Sequence, residues 1–346
     1  MLRPLILLAL SIIGLVPSVK ADSPKEIRIL VGYASGGGYD AYARIVAQSL
    51  GKHLPDAPTV LVQNMPGADG LTVTNFMFTR PPKDGSTFAL TNRNIAVAPT
   101  LGLIEPKNVQ YKAEEFFWLA NLNSEVSVIV ARHDAGFSSV QDMKKKPFLV
   151  GSTGLTSNNA IYPYVSNNIA GTKMKVVTGY PGTSNIVLAL ERGEIDGIGG
   201  WAWSSIAVQK PSWIKDKFII PLMTLALEKH PDLPDTPSIF DYAKSDEDRT
   251  ALKLIFAPES MGRPFFGPPG MDPKAGQMLR NAFADLVRDP QFQNSAAKAK
   301  LDISFIDGKT LQDLIADLSR ATPSAIARAK EITQRGVTEI EEKENK

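Results

Sequence analysis

The stretch that most constrains this chain is Tyr33-Ala34-Ser35-Gly36-Gly37-Gly38-Tyr39-Asp40. An apolar run, Ile27 to Val31, precedes it and reads as a strand. After it, Ala43, Val46, Ala47 and Leu50 recur at i, i+3, i+4 and i+7, which predicts a helix from Ala41 to Leu50. A strand, a glycine turn and a helix in that order aim free backbone N–H groups past the turn. The first N–H groups of a helix have no internal partner, and the helix dipole adds partial positive charge there. Glycines let the backbone approach an anion closely. The expectation is an anion cradle at Ser35, Gly36, Gly37 and Gly38, against the plainer reading of a tight connection with no ligand. It is not a phosphate P-loop, because no Gly-Lys-Ser/Thr follows, and no G-x-G-x-x-G runs through it. Asp40 is placed to cap the helix, which would occupy one of the same donors.

The same device recurs twice. Phe148-Leu149-Val150 reads as a strand, the polar turn Gly151 to Asn159 follows, and a helix is predicted over Ala160 to Ile169. Lys175 to Thr178 reads as a strand, and Gly182-Thr183-Ser184-Asn185 opens a helix over Ile186 to Arg192. One such turn says little; three argue for a shared polar pocket. Strand Thr87 to Leu90 ends in the polar cluster Thr91-Asn92-Arg93-Asn94. Alternating strands and helices predict a parallel sheet covered by helices, with ligands beyond the C-terminal strand ends. A strand over Glu194 to Ile198 leads through Gly199-Gly200 to Trp201, a candidate ligand platform or packing residue. Phe218 to Thr224 reads as extended chain returning to the first domain. Pro273 to Arg288 reads as a helix, and Lys309 to Ser319 and Ser324 to Arg335 read as surface helices.

Composition narrows the function classes. Leu5 to Val16 is almost wholly apolar after Met1-Leu2-Arg3, and Val19-Lys20-Ala21 offers small residues for cleavage. This reads as a secretory signal over residues 1–21, too short for a membrane span. There is no cysteine for a lipid anchor or a disulfide. Arg3 and Lys20 lie in the signal, so 36 basic residues face 36 acidic ones in the rest. That balance argues against a nucleic-acid or anionic-membrane footprint, so an anion must be held locally. No metal-ligand spacing is present and no cofactor is expected. The mature chain of about 325 residues suggests two domains.

Read together, the motifs resemble those of the extracytoplasmic solute receptors of tripartite tricarboxylate transporters, the Bug family. Gly36-Gly37-Gly38-Tyr39-Asp40 followed by Ala43-Arg44 carries the resemblance. Val62-Gln63-Asn64-Met65-Pro66-Gly67-Ala68 and Asp84-Gly85-Ser86-Thr87 follow, then Gly151-Ser152-Thr153-Gly154 and Tyr180-Pro181-Gly182-Thr183. Leu233-Pro234-Asp235-Thr236-Pro237-Ser238 and Gly267-Pro268-Pro269-Gly270 complete the order, so the likeness spans residues 26–315. It implies an α/β, two-lobed periplasmic-binding-protein fold of the type II, Venus-flytrap kind, with a hinge and an interlobe cleft. Lobe 1 is expected from residues 22–124 and 222–346, lobe 2 from 125–221. The resemblance implies a periplasmic receptor, not an enzyme, that binds a small carboxylate through N–H groups and hydroxyls and delivers it to integral membrane transporter subunits. Carried over by position, Ser35, Gly36, Gly37 and Gly38 serve lobe 1, with Asn92 or Arg93 nearby, and Ser152, Thr153, Ser157 and Asn158 serve lobe 2, with Thr183, Ser184 and Asn185. Tyr33, Asp40 and Trp201 join the candidate ligand-binding residues from their own places on these turns. The chain departs from the family where Asn158-Asn159 replaces a His and Gly199-Gly200-Trp201 lacks an acid. The missing acid disfavours an amino-bearing ligand, and Trp201 with Tyr33 admits an aromatic carboxylate beside di- and tricarboxylates.

Two other classes are weighed. An exported hydrolase would use Ser35 or Ser152, but neither sits in G-x-S-x-G, and His53, His133 and His230 lie in charged or Pro-rich surroundings. A ligand-sensing module for a membrane sensor kinase would share the fold and pocket. A monomer is the simplest expectation for a diffusing carrier.

Overall fold

The computed structural model describes residues 24–344, Thr156 excepted. The signal segment expected over residues 1–21 lies outside them. Among the described residues eleven strands form two sheets. The first contains β1 (Glu26–Val31), β2 (Thr59–Asn64), β3 (Thr87–Leu90) and β4 (Phe117–Asn121). The second contains β5 (Ser127–Arg132), β6 (Phe148–Gly151), β7 (Met174–Val177), β8 (Gly197–Ala202) and β9 (Ile219–Leu225). The chain then returns to the first sheet with β10 (Pro264–Gly267) and β11 (Ile306–Asp307). The orders are β11-β4-β10-β3-β1-β2 and β7-β6-β8-β5-β9.

Both sheets are mixed, not purely parallel. β1 runs parallel to β2 and β3, with Ile29 opposite Val62 and Phe88. β10 inserts antiparallel between β3 and β4. Pro264 takes its first position, where a missing N–H costs least. Phe265 and Phe266 then point to opposite faces. Phe265 packs with Phe88 and Phe283, and Phe266 with Phe116 and Trp118. Each ring is fully buried, worth about 1.5–3 kcal/mol apiece in transfer from water.

Helix α1 (Gly38–Leu50) covers one face of the first sheet with Tyr42, Ala43, Val46 and Leu50, and α2 (Leu71–Thr79) covers the other through Val73 and Met77. The second sheet carries α3 (Val140–Lys145), α4 (Asn158–Ala170), α5 (Thr183–Arg192) and α6 (Trp203–Gln209). α4 lies directly on β8. A Cβ on Gly200, whose φ is +75°, would meet the Asn158 carbonyl oxygen at 2.4 Å. The strand expected at Glu194 to Ile198 is therefore displaced to Gly197–Ala202, so Trp201 sits inside β8 and not beyond it.

Two expectations about the return path change. Residues 218–224 do not rejoin the first lobe, because Ile219–Leu225 is the edge strand antiparallel to β5. The boundary placed between residues 221 and 222 thus cuts a strand. The last helix, Pro323–Glu344, does not lie free on the surface. It packs on α4 and on the helix Asp246–Phe256, burying Ala325, Ala329 and Ile332 at i, i+4 and i+7.

Candidate functional site

A cavity of about 100 Å³ lies between the lobes, at the C-terminal ends of β1, β3, β6 and β8. Three helix starts line it: Gly37-Gly38-Tyr39 of α1, Ser157-Asn158-Asn159 of α4, and Gly182-Thr183-Ser184 of α5. None is capped by its own side chain. The helices opening at Val140, Asp246, Pro273, Pro290 and Gly308 are all capped by Ser or Asp. The N–H groups of Gly38, Tyr39, Asn158, Asn159, Thr183 and Ser184 therefore remain available where the helix dipoles place partial positive charge. Ser35, Thr183, Ser184 and Asn185 also line the cavity, and among the described residues their side chains meet no hydrogen-bond partner.

Several expected residues do other work. The Asp40 carboxylate accepts from Gly36 N–H at 2.9 Å, Arg44 Nε at 2.8 Å and Asn64 Nδ2 at 2.9 Å. Burial opposes its charge, but these bonds lower its pKa. Gly36 N–H is thereby withheld from any ligand, and neither Gly36 nor Asp40 reaches the cavity lining. Ser152 is fully buried; its hydroxyl shares a bond with Ser157 Oγ at 2.8 Å and donates to Gly154 O, so it shapes the turn instead of touching the cavity.

Arg93 lines the cavity, but its charge is matched. Its Nε and Nη2 donate to Glu259 Oε1 at 2.9 and 2.6 Å, and Nη2 also donates to Ser127 Oγ. Glu259 Oε1 accepts further from Asn158 Nδ2 and Tyr162 OH. Burial raises the Glu259 pKa, with Arg93 acting in the opposite direction. Asn94 Nδ2 donates to Asn158 Oδ1, so α4 is tied to first-lobe groups at its start. A second buried cation, Arg263, lies between the Tyr39 and Tyr42 rings, 3.2 Å from Glu125. Trp201 is 2 % exposed and stands edge-to-face on Trp213, so packing dominates its role although it borders the cavity. Tyr33 stacks on Tyr39 with centroids 4.9 Å apart, and Tyr33 and Asn92 both turn their donors to Asp69.

Tyr39, Asn159, Gly182 and Ser205 line the cavity without having been singled out in sequence. The first three lie inside the quoted turns but were not named as ligand groups, while Ser205 arrives on α6 through tertiary packing alone. His53 and His230 lie against Asp289 and Asp232, outside the lining. Among the described residues no cluster of three or more acidic or His side chains could hold a metal, and no helix is long and apolar enough to cross a membrane.

A family model for the tripartite tricarboxylate transporter family receptor matches residues 42–331. The chain belongs to that receptor family. The family consists of solute-binding receptors, not enzymes. One relative, the UPF0065 protein in the TAR-I ttuE-ttuC' intergenic region of Agrobacterium vitis, is 28% identical over 87% of this chain and 86% of its own length. The periplasmic binding protein BugD is 19% identical with a TM-score of 0.68, over 90% of this chain and 97% of that one. MatC from Rhodopseudomonas palustris with bound malate is 16% identical with a TM-score of 0.67, over 89% and 98%. This chain shares the fold of two α/β lobes with both of these solved structures.

Proposed function

We propose that this protein is a periplasmic receptor that captures a small carboxylate by lobe closure and delivers it to an integral membrane transporter. The observation that carries this reading is the convergence of three uncapped helix starts on one cavity whose buried lining cation, Arg93, is matched by the Glu259 carboxylate. Such a site presents partial charges, not a full one. A carboxylate oxygen accepting from Gly38 or Tyr39 on one lobe and Thr183 or Ser184 on the other would hold the lobes together. Each charge-assisted bond contributes about 1.5–3 kcal/mol. Three or four, less the cost of immobilising the ligand, give a Kd around micromolar. The malate bound by the fold neighbour MatC is consistent with this class of ligand.

The test is a thermal-shift panel on the chain from Asp22 onward, with di- and tricarboxylates, aromatic acids and amino acids. A ligand at 100 times its Kd adds roughly 2.7 kcal/mol, several degrees of shift. A shift confined to carboxylates is expected. A flat panel, followed by denaturation that releases no bound acid, would overturn the reading.

A further inference from the structure

Asp69 does not line the cavity, yet it controls three residues that do. It sits in the turn Ala68–Gly70 between β2 and α2 with φ 54° and ψ 38°, and Ala68 before it has φ 45°. Left-handed backbone is unfavourable for any residue with a side chain and persists only where the surroundings hold it. What holds Asp69 is its carboxylate. Oδ1 accepts from Tyr33 OH at 3.0 Å and from Thr153 Oγ1 at 2.9 Å, and Oδ2 accepts from Asn92 Nδ2 at 2.7 Å. Tyr33 and Asn92 belong to the first lobe, whereas Thr153 follows β6 in the second. A Cβ on Gly154 would stand 3.4 Å from the Asp69 Cβ, so the two turns are also in van der Waals reach. Burial, and then the Asp69 charge, push the Tyr33 hydroxyl well up, which keeps it a donor.

We infer that Asp69 is the closure latch of the site, a positioning residue whose carboxylate fastens the second lobe, through Thr153, to the first-lobe wall of the cavity. The Tyr33 and Asn92 bonds lie within one lobe and survive opening. The Thr153 bond exists only when the lobes meet. The latch also selects the donors left for a ligand, because it claims those of Tyr33, Asn92 and Thr153 and leaves the helix N–H groups and the hydroxyls of Ser35, Thr183 and Ser184. The inference rests on the proposed lobe closure, not on the ligand being a carboxylate.

The chain has no cysteine, so Gln48→Cys and Leu188→Cys, one exposed position on each lobe, give a clean spin-label pair. Interlobe distance distributions are measured in the otherwise wild-type protein, in Thr153→Val, Thr153→Ser, Asp69→Gly and the Thr153→Val/Asp69→Gly double variant. Glycine at 69 keeps the left-handed turn and removes only the carboxylate. The closed-to-open ratio should fall about tenfold or more in Thr153→Val and in Asp69→Gly, the size of one charge-assisted hydrogen bond. Thr153→Ser should keep it, and the double variant should open no further than Asp69→Gly alone. Unchanged distributions in both single variants, or additive opening in the double one, would overturn the latch. L-malate is added as a probe in a second arm. If malate moves neither the wild-type distances nor its melting temperature while Thr153→Val still opens the lobes, the latch stands and malate is not the ligand.

Discussion

The Asp40 carboxylate shows how one side chain both builds and limits the site. It sits at the third position of α1 and reaches back to Gly36 N–H, while Arg44 on the next turn and Asn64 at the end of β2 hold it from the sides. Its folded pKa lies below the unfolded value of about 3.9. The stabilisation is therefore fully present above about pH 4 and is lost as pH falls through the lowered folded value. Asp40→Asn should cost about 1–2 kcal/mol at pH 7, and the gap to wild type should narrow as pH falls below about 4. Thermal melts of the two proteins from pH 7 downward check it, and a gap that does not narrow below about pH 4 would contradict it. Local sequence already places Asp40 where it can take a donor. Arg93 is neutralised by Glu259, a partner 166 residues away that no local pattern marks.

Whole elements reach the cavity by close approach. α1 begins at Gly38, three residues earlier than the apolar stripe predicts, because a stripe reports buried apolar side chains and the buried residues of the first turn are Gly38 and Asp40, which have none. A Cβ at Gly38 would stand 2.2 Å from Ser205 Oγ on α6 and 3.1 Å from Arg263 Nη2. Gly38 thus admits the second-lobe helix to the first-lobe helix start. Gly38→Ala should weaken carboxylate binding about ten- to hundredfold while leaving the unliganded melting temperature nearly unchanged, since Ala favours a helix by about 1 kcal/mol. Adding Ser205→Gly should restore much of the affinity. Calorimetric titration of the single and double variants decides it; a single variant that binds normally would show that the lobes do not meet there. β4 and β10 were illegible for a related reason. Their residues are short apolar runs, and only their pairing with β3 and with each other makes them strands.

At the scale of the molecule, the cavity between the two lobes presents partial charges. The chain carries 38 basic and 36 acidic residues, and the buried pairs Arg93–Glu259 and Arg263–Glu125 add no net field at the cavity. Helix N–H groups in an enclosed site are screened little by salt. Affinity for a carboxylate should change less than tenfold between about 20 and 500 mM salt. A steeper loss in titrations across that range would mean that a full positive charge holds the ligand.

The sequence by itself determined the repeated strand–turn–helix unit, the receptor family and the three helix starts. Backbone N–H groups at a helix N-terminus follow from local glycine and apolar patterning and need no distant partner. Tertiary structure decided what those starts face and which polar groups stay available. Asp69 takes Tyr33, Asn92 and Thr153, Glu259 takes Arg93, and Gly38 meets Ser205. Most of these contacts join residues far apart in the chain, and a buried polar group must find its partner wherever packing brings one, which spacing along the chain does not encode.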